Sequence, residues 1–290
     1  MSIPLAVKYA KNADEMFAAE SKISLLTNRD YDFNGAHTVL IYKMSTVPMN
    51  NYARNVGLND NTDAQLSRFG RLVDLGASTE ELLLKRDRSF IFNVDILDQE
   101  ESGDVIEAAA ALARELREVV IPEVDAYTYG VMVEKAGTKA SVQALTKDNI
   151  YTAILAGSEA LDNAEVPDTE RVLMLTPAVY TLLKQSTVFD NTEVGADLRM
   201  KGVVGILDGM NVVRVPASRL PEGFGFLIAH PSATVAPVKL EDYNVHTDTV
   251  LSSGSIVTGR ICYDAFVLDN KAKGIYYHPI AEKKVEQDTK

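Results

Sequence analysis

The sequence predicts an α+β protein in which a compact α/β unit is inserted between the strands of an antiparallel sheet. Three observations predict this fold class: one long amphipathic helix, a central region where helical and strand-like patterns alternate, and half-buried strand patterns on both sides of it. The chain has 290 residues, of which 46% are hydrophobic and 24% are charged. These proportions are normal for globular proteins and allow one large domain or two of ordinary size.

Residues 1–35 form the first predicted segment, an N-terminal arm. Apolar residues recur there at helical spacing between charged ones, at Leu5, Tyr9, Ala13, Met16 and Phe17. A polar stretch over residues 27–35 follows them. Two interpretations remain open at this point: a helix packed on its own domain, or an arm that lies across a neighbouring subunit.

The pattern of residues 36–95 predicts a long two-stranded segment that projects from the rest of the chain, which we call the excursion. A strand-like run at 38–42 leads into a polar stretch, and strand-like runs return at 71–75 and 89–95. An isolated two-stranded ribbon is only marginally stable in water. The excursion therefore requires a partner surface, and another copy of the chain is a good candidate for it.

Residues 96–144 contain the strongest helical pattern, which predicts a helix over 98–121. Asp98, with Glu101 three residues later, is typical of a helix N-terminus, where the helix dipole also favours acidic side chains. Pro122 predicts that the helix stops or kinks there, because proline lacks the amide N–H of a helix interior.

Residues 145–236 predict the inserted α/β unit. Thr146 is placed to cap one helix, and the pair Thr176–Pro177 is typical of the start of another. Buried strands are predicted at 171–175, 211–215 and 224–229.

Residues 237–280 return to a strand pattern, in which apolar and polar residues alternate over 255–269. Half-buried strands of this kind are typical of an antiparallel sheet. The last segment, 281–290, is rich in charge and is predicted to be a flexible tail.

Composition argues against several classes of protein. The formal charge is −12, so contact with nucleic acid is expected to be weak and independent of sequence. The N-terminus lacks the features of a signal peptide, and no apolar run is long enough to span a membrane. The single cysteine, Cys262, excludes an internal disulfide and is typical of a protein folded in a reducing cytoplasm.

No arrangement of residues in the sequence predicts catalysis, a metal or a cofactor. The four histidines form no helical metal-binding pair; they are His37, His230, His246 and His278. Carboxylates cluster over 95–104 and could do acid–base chemistry, but helix capping and ion pairs with the basic residues at 85–88 explain them. We therefore expect no enzyme, and a small soluble α/β enzyme that uses His230 or His246 is the alternative from another class.

The order of parts, together with four short stretches, resembles the capsid subunits of the Hong Kong 97 type. The stretches are Arg88–Asp95 with Asp98–Glu101, Leu175–Leu183, Ile228–Ala233 and Gly254–Arg260. In that family the parts are called the N-arm (1–35), the E-loop (36–95), the P-domain with its spine helix (96–144 and 237–280) and the A-domain (145–236). The resemblance covers nearly all of residues 1–280.

This resemblance implies the major capsid protein of a tailed double-stranded DNA bacteriophage. Copies would form hexamers and pentamers that tile an icosahedral shell around packaged double-stranded DNA, in a virion assembled in the host bacterial cytoplasm. The implied partners are other copies of the chain, a scaffolding protein, a portal and, in some relatives, decoration proteins; no membrane and no cofactor is implied. An encapsulin-like nanocompartment has the same fold and is the alternative function.

In a shell subunit, the residues that carry function are those that touch neighbouring copies. We expect basic side chains of the E-loop to pair across subunits with the acidic strand-to-helix junction. The basic candidates are Arg54, Arg68, Arg71, Arg86 and Arg88, and the acidic candidates are Asp95, Asp98, Glu100, Glu101 and Asp104. The hypothesis predicts that charge reversal at Arg86 and Arg88 impairs assembly while the subunit stays folded, and unchanged shells would contradict it.

Overall fold

The computed structural model describes residues 20–28, 38–52, 69, 73–97, 108–186, 205–247 and 253–280. The chain forms two compact units, one of Phe33–Leu84 and one of Met1–Asp32 with Lys85–Lys290. The predicted N-terminal helix, the cap at Asp98 with Glu101 and the tail 281–290 lie outside the described residues.

The smaller unit contains an antiparallel hairpin of β1 (Thr38–Met44) and β2 (Ala77–Leu83). The strand predicted at 71–75 is wrong for residues 73–75, which have no regular structure. The position of β2 is set by its pairing with β1, which joins Thr38 to Leu83 and Met44 to Ala77. Local alternation of side chains cannot reveal that register, because only the partner strand fixes it.

The described strands of the larger unit are β3 (Arg86–Asp95), β4 (Thr138–Lys139), β5 (Val172–Leu175), β6 (Ile206–Leu207), β7 (Met210–Arg214), β8 (Phe224–Ala229), β9 (Thr234–Val235), β10 (Val238–His246), β11 (Gly254–Tyr263), β12 (Phe266–Val267) and β13 (Ile275–Pro279). Its described α-helices are α1 (Ala108–Glu115), α2 (Ile121–Glu134), α3 (Ile150–Asn163) and α4 (Pro177–Gln185). Short 3₁₀ turns connect several of these elements, at Ile23–Leu25, Ala217–Arg219, Pro231–Ala233 and Asp269–Gly274.

Strands β10, β11 and β3 form an antiparallel sheet in that order. One face of the sheet packs against α1, where Val94 and Val257 are buried with Ala108. The sheet therefore joins the strand before the long helix to strands from the last quarter of the chain, as expected for an α/β unit inserted between them.

The long helix passes Pro122 and continues to Glu134, so of the two outcomes predicted at this proline, a stop or a kink, the stop is wrong. A π-helical turn, Leu116–Val120, separates α1 from α2, and Pro122 lies in the first turn of α2. The missing amide N–H of proline is tolerated in a first helical turn. The break in the regular hydrogen-bond pattern therefore lies in the π turn just before the proline.

The inserted α/β unit is built on a six-stranded sheet in the order β4-β13-β8-β5-β7-β6. Helices α3 and α4 cover one face through Ile154, Leu161, Val179 and Leu183, and α2 covers the other through Tyr129 and Met132. The three predicted buried strands are confirmed as β5, β7 and β8. Of the two predicted caps, the one at Thr176 is confirmed, because Thr176 Oγ1 accepts a hydrogen bond from the Val179 amide at 3.3 Å. The cap predicted at Thr146 is wrong, because α3 begins at Ile150 and Asn149 occupies the N-cap position.

Candidate inter-subunit surface

Three of the ten predicted contact residues lie in the described part of the chain: Arg86, Arg88 and Asp95. The other seven lie outside it; they are Arg54, Arg68, Arg71, Asp98, Glu100, Glu101 and Asp104. The geometry of the first three shows what each side chain does within its own subunit.

Arg88 joins β3 to helix α2 through an ion pair with Glu123. Its Nε donates to Glu123 Oε1 at 2.7 Å, and its Nη2 donates to Oε2 at 3.4 Å. The hydrogen bond to Glu123 raises the pKa of the Arg88 guanidinium above its ordinary value. Next to this pair, burial and the charge of Glu123 raise the pKa of Tyr263 to about 12. Arg88 is thus engaged within its own subunit, although the pair is exposed to solvent.

Arg86 belongs to a network that fixes the chain where it enters β3. Its guanidinium lies 4.2 Å from the ring centroid of Tyr127, in a cation–π contact. The Tyr127 hydroxyl donates to Asp264 Oδ1 at 2.7 Å, and the Lys85 amide donates to Asp264 Oδ2 at 2.8 Å. Burial and the bond to Asp264 raise the pKa of Tyr127. Asp264 is buried yet well hydrogen-bonded, so it stabilises this junction.

Asp95 lies at the end of β3, where its Oδ1 accepts a hydrogen bond from the Leu97 amide at 2.9 Å. This is a local turn contact of the kind that acidic residues make at strand and helix ends. The next two side chains, Ile96 and Leu97, are exposed and apolar. Asp95 therefore has a structural role in its own subunit, which agrees with the capping interpretation.

The opposite face of the β10–β11–β3 sheet carries charges that the sequence reasoning missed. Arg260 Nη2 donates to Asp87 Oδ2 at 2.6 Å, and its Nε donates to Oδ1 at 3.0 Å. Ile91 is exposed on the same face. The alternation of charged and apolar residues along β3 and β11 is the signal that could have indicated this solvated face.

A groove of about 490 Å³ lies in the larger unit, and we call it the helix groove. It is lined by the segment 21–27, by the junction of the π turn with α2, and by one face of β10 and β11. At its base, Asp125 accepts hydrogen bonds from Ser21 Oγ at 2.6 Å and from Arg219 Nη1 at 2.7 Å. Asp125 and Arg219 are only 1% and 5% exposed, so this is a buried ion pair. Sequence reasoning did not find it, because the two residues are 94 positions apart.

The smaller unit exposes an unusual number of large apolar side chains. Along β1, Leu40, Tyr42 and Met44 point to one face and are each more than half exposed. Beyond the hairpin, Tyr52 and Phe69 pack edge to face with ring centroids 5.2 Å apart, and they are 52% and 79% exposed. Exposed apolar clusters of this kind mark surfaces for protein partners.

The described residues were also compared with the requirements of a metal site, and the surroundings of two histidines are known. Within them, no three histidine, cysteine, aspartate or glutamate side chains converge to hold a metal ion. His230 Nδ1 accepts a hydrogen bond from the Ser232 amide at 3.2 Å, and His278 is buried against Phe226. None of the described helices is long and apolar enough to cross a membrane.

Comparisons with known proteins indicate the family of the chain. The profile of a family described as phage capsid protein matches residues 87–277, about two thirds of the chain. No curated protein matches the sequence significantly.

Solved structures show the fold. A structure from Mycobacterium phage Che8 is 18% identical and superposes with a TM-score of 0.77, over 96% of this chain and 98% of that one. The mature capsid of bacteriophage PhiM1 is 14% identical, with a TM-score of 0.74 over 97% and 93% of the two chains. The capsid structure of Cyanophage P-SCSP1u is 13% identical, with a TM-score of 0.73 over 97% and 94%.

These structures share the Hong Kong 97 fold, so the fold that the sequence predicts is confirmed. The family match extends from the start of β3 into β13 and includes the long helix and the α/β unit. This chain belongs to the phage capsid protein family, as a major capsid protein that forms the shell of a virion.

Proposed function

We propose that copies of this capsid protein form hexamers and pentamers that close an icosahedral shell around the double-stranded DNA of a tailed phage. The observation that carries the proposal is the exposed apolar face of the β1–β2 hairpin. Apolar side chains on an exposed face are stabilised when another surface removes them from water. In a shell, that surface belongs to a neighbouring copy.

The hairpin has the physical properties of an element that needs a partner. Two strands alone bury too little area to be stable in water, and Leu40, Tyr42 and Met44 lie side by side on one of its faces. On the other face, Lys43 and Glu80 form an ion pair at 2.9 Å. The face with this ion pair also holds Leu82 and is largely buried, so the exposed apolar side chains of β1 lie on the face that a contact with another copy could cover.

Each such contact is repeated by every copy in a closed lattice. Contacts that are individually weak therefore hold the shell together through their number. The net charge of −12 suits a container for DNA, because an acidic surface does not adhere to packaged phosphates. Any contact with the DNA is then weak and independent of sequence.

The role of the chain is structural and not catalytic. The further partners that we propose are a scaffolding protein, a portal and decoration proteins. Assembly takes place in the host bacterial cytoplasm, before the shell becomes part of the virion.

The test is electron microscopy of the purified full-length chain, followed by extraction of nucleic acid from any particles. We expect closed shells, and double-stranded DNA in particles from infected cells. A population that contains only monomers or small oligomers under all assembly conditions would contradict the proposal. Shells that hold enzyme cargo and no DNA would favour an encapsulin-like compartment.

A further inference from the structure

We propose that the helix groove is a binding site for a small organic cation, namely an aliphatic ammonium ion. The chain of the ligand lies along the apolar wall of the groove, and its charged end binds the carboxylate of Glu241. The groove is formed by residues of one subunit, so this inference does not depend on the proposed shell function.

The walls of the groove suit the apolar part of such a ligand. The long helix contributes Val120, Ile121 and Val124, and the sheet contributes Ile261 and Val238. Val238 is 46% exposed at the rim, so part of this apolar wall lies open to solvent. The volume of about 490 Å³ lies within the range of about 300–1,000 Å³ that is typical of small-molecule sites. A short aliphatic chain on this wall is stabilised because apolar surface is removed from water.

The charge of the groove selects a cation. Among the described residues, three carboxylates line the groove, at Asp125, Glu241 and Asp264, and no lysine, arginine or histidine does. Asp125 is paired with Arg219. The described donors to Asp264 are neutral, namely the Tyr127 hydroxyl and two backbone amides. The groove therefore carries net negative charge, which attracts a cation and repels an anion.

Glu241 is the carboxylate best placed to bind the ammonium group. It lies opposite Ile261 in the β10–β11 pair, so its side chain is on the face of the sheet that also carries the buried Val257. The carboxylate of Glu241 accepts no hydrogen bond and forms no ion pair with any described residue. A cationic partner explains why an unpaired charge lies on a face that is otherwise used for apolar packing.

Two tyrosine rings in the groove also favour an ammonium ion. Tyr243 and Tyr263 both line it. Burial raises the pKa of the Tyr243 hydroxyl and raises that of Tyr263 to about 12, so both rings are neutral near pH 7. Neutral aromatic faces attract ammonium groups through cation–π contacts. A metal ion is a poorer match, because within the described residues no three suitable side chains converge to hold one.

The experiment is a titration of dissociated full-length subunits with n-hexylammonium, 1-hexanol and hexanoate, followed by NMR of the isoleucine methyl groups. The three probes share one aliphatic chain and differ in charge. Ile121 and Ile261 line the groove and report binding there, whereas Ile91 is 69% exposed on the opposite face of the sheet and is the internal control. We expect saturable shifts at the two groove residues from hexylammonium, with a dissociation constant of about 1 mM. Hexanol should bind at least about threefold more weakly, and hexanoate should not bind.

Two matched substitutions test the role of Glu241. Glu241→Gln keeps the size of the side chain and removes its charge, so it should weaken hexylammonium binding by about threefold to fivefold and leave hexanol binding unchanged. Glu159→Gln, an exposed change on α3 outside the groove, should bind all three probes as the parent does.

Three outcomes would overturn the inference. They are equal affinities of the parent for hexylammonium and hexanol, equal weakening by the two substitutions, and hexylammonium shifts that are absent from Ile121 and Ile261. The first would leave an apolar cavity without a cation site, and the second would mean attraction to the acidic surface in general. None of them bears on whether the chain forms shells, which electron microscopy tests separately.

Discussion

The ring of Phe90 lies directly against the backbone of Gly259, its cross-strand partner in the β11–β3 pair. A β-carbon at position 259 would lie 2.2 Å from Phe90 Cζ, which is too close for any side chain. The same ring stacks on Phe92 and Tyr243, each with centroids 6.2 Å apart. Gly259 thus makes room for an aromatic row that covers the sheet beside the long helix.

Gly259→Ala should destabilise the subunit by about 1–3 kcal/mol, because the new methyl group must displace Phe90 from a packed position. The measurement is urea-induced unfolding of dissociated subunits. Gly130→Ala is the control, since a β-carbon there meets nothing within 4 Å inside α2. It should be neutral or should stabilise the helix by up to about 1 kcal/mol. Equal effects of the two substitutions would contradict the packing account.

Asp125→Ala should be among the most destabilising single changes in the chain. It removes a buried carboxylate that pairs with Arg219 and accepts a hydrogen bond from Ser21, at a cost of about 3–5 kcal/mol. Removal of the exposed partner in the Asp87–Arg260 pair, by Arg260→Ala, should have a much smaller effect. Denaturant unfolding of the two variants makes the comparison. A small effect at Asp125 would mean that solvent reaches this pair.

Acid should destabilise the α/β unit through its buried histidines. Burial lowers the pKa of both His230 and His278, so the folded state favours their neutral forms. The unfolded chain binds protons more readily, from its ordinary pKa of about 6.5 downwards. The contribution of the two neutral histidines to the free energy of unfolding is therefore fully present above about pH 6.5. It is lost as the pH drops through their lowered folded-state pKa values.

The variant that tests this pH dependence is His278→Phe, which keeps an aromatic ring against Phe226 and removes the titrating group. The free energy of unfolding of this variant should fall less between neutral and acidic pH than that of the parent. His246→Gln, at an exposed position in β10, is the control for the loss of a histidine outside the buried core. An identical acid response in the His278 variant and the parent would contradict this assignment.

Charge reversal at Arg86 and Arg88 should lower shell yield while the subunit stays folded, and this remains a prediction. Because Arg88 already pairs with Glu123, the variant Glu123→Gln separates two explanations. If Arg88 also contacts a neighbouring copy, Glu123→Gln assembles normally and Arg88→Glu does not. If both variants lose shell yield equally, Arg88 acts only within its own subunit. Sedimentation of assembled material provides the yield.

Local sequence signals predicted those parts of the fold that depend on neighbours along the chain. The buried strand Val172–Leu175 and the cap at Thr176 are examples, because composition and spacing within a few residues determine them. The position of β2 and the passage of the helix through Pro122 were missed. The position of β2 depends on its pairing with a distant strand, which local preference does not reveal. The helix continues through Pro122 because this proline lies in the first turn of α2, where its missing N–H is tolerated.

The candidate contact surface was predicted in part. The composition of residues 36–95 predicted that this segment needs a partner surface, and the exposed apolar face of β1 agrees with that prediction. The specific partners of Arg86 and Arg88 could not be predicted, because Tyr127 and Glu123 lie more than thirty positions away in sequence. The helix groove could not be predicted from the sequence either, because it is formed by three segments that only the fold brings together.

A cryo-electron microscopy reconstruction of the assembled shell tests the central claim most directly. The account predicts that Leu40, Tyr42 and Met44 of each copy contact the larger unit of a neighbouring copy. It also predicts closed particles built of six-fold and five-fold clusters. A reconstruction in which these three side chains face solvent in every copy would contradict the account, even if a shell is present.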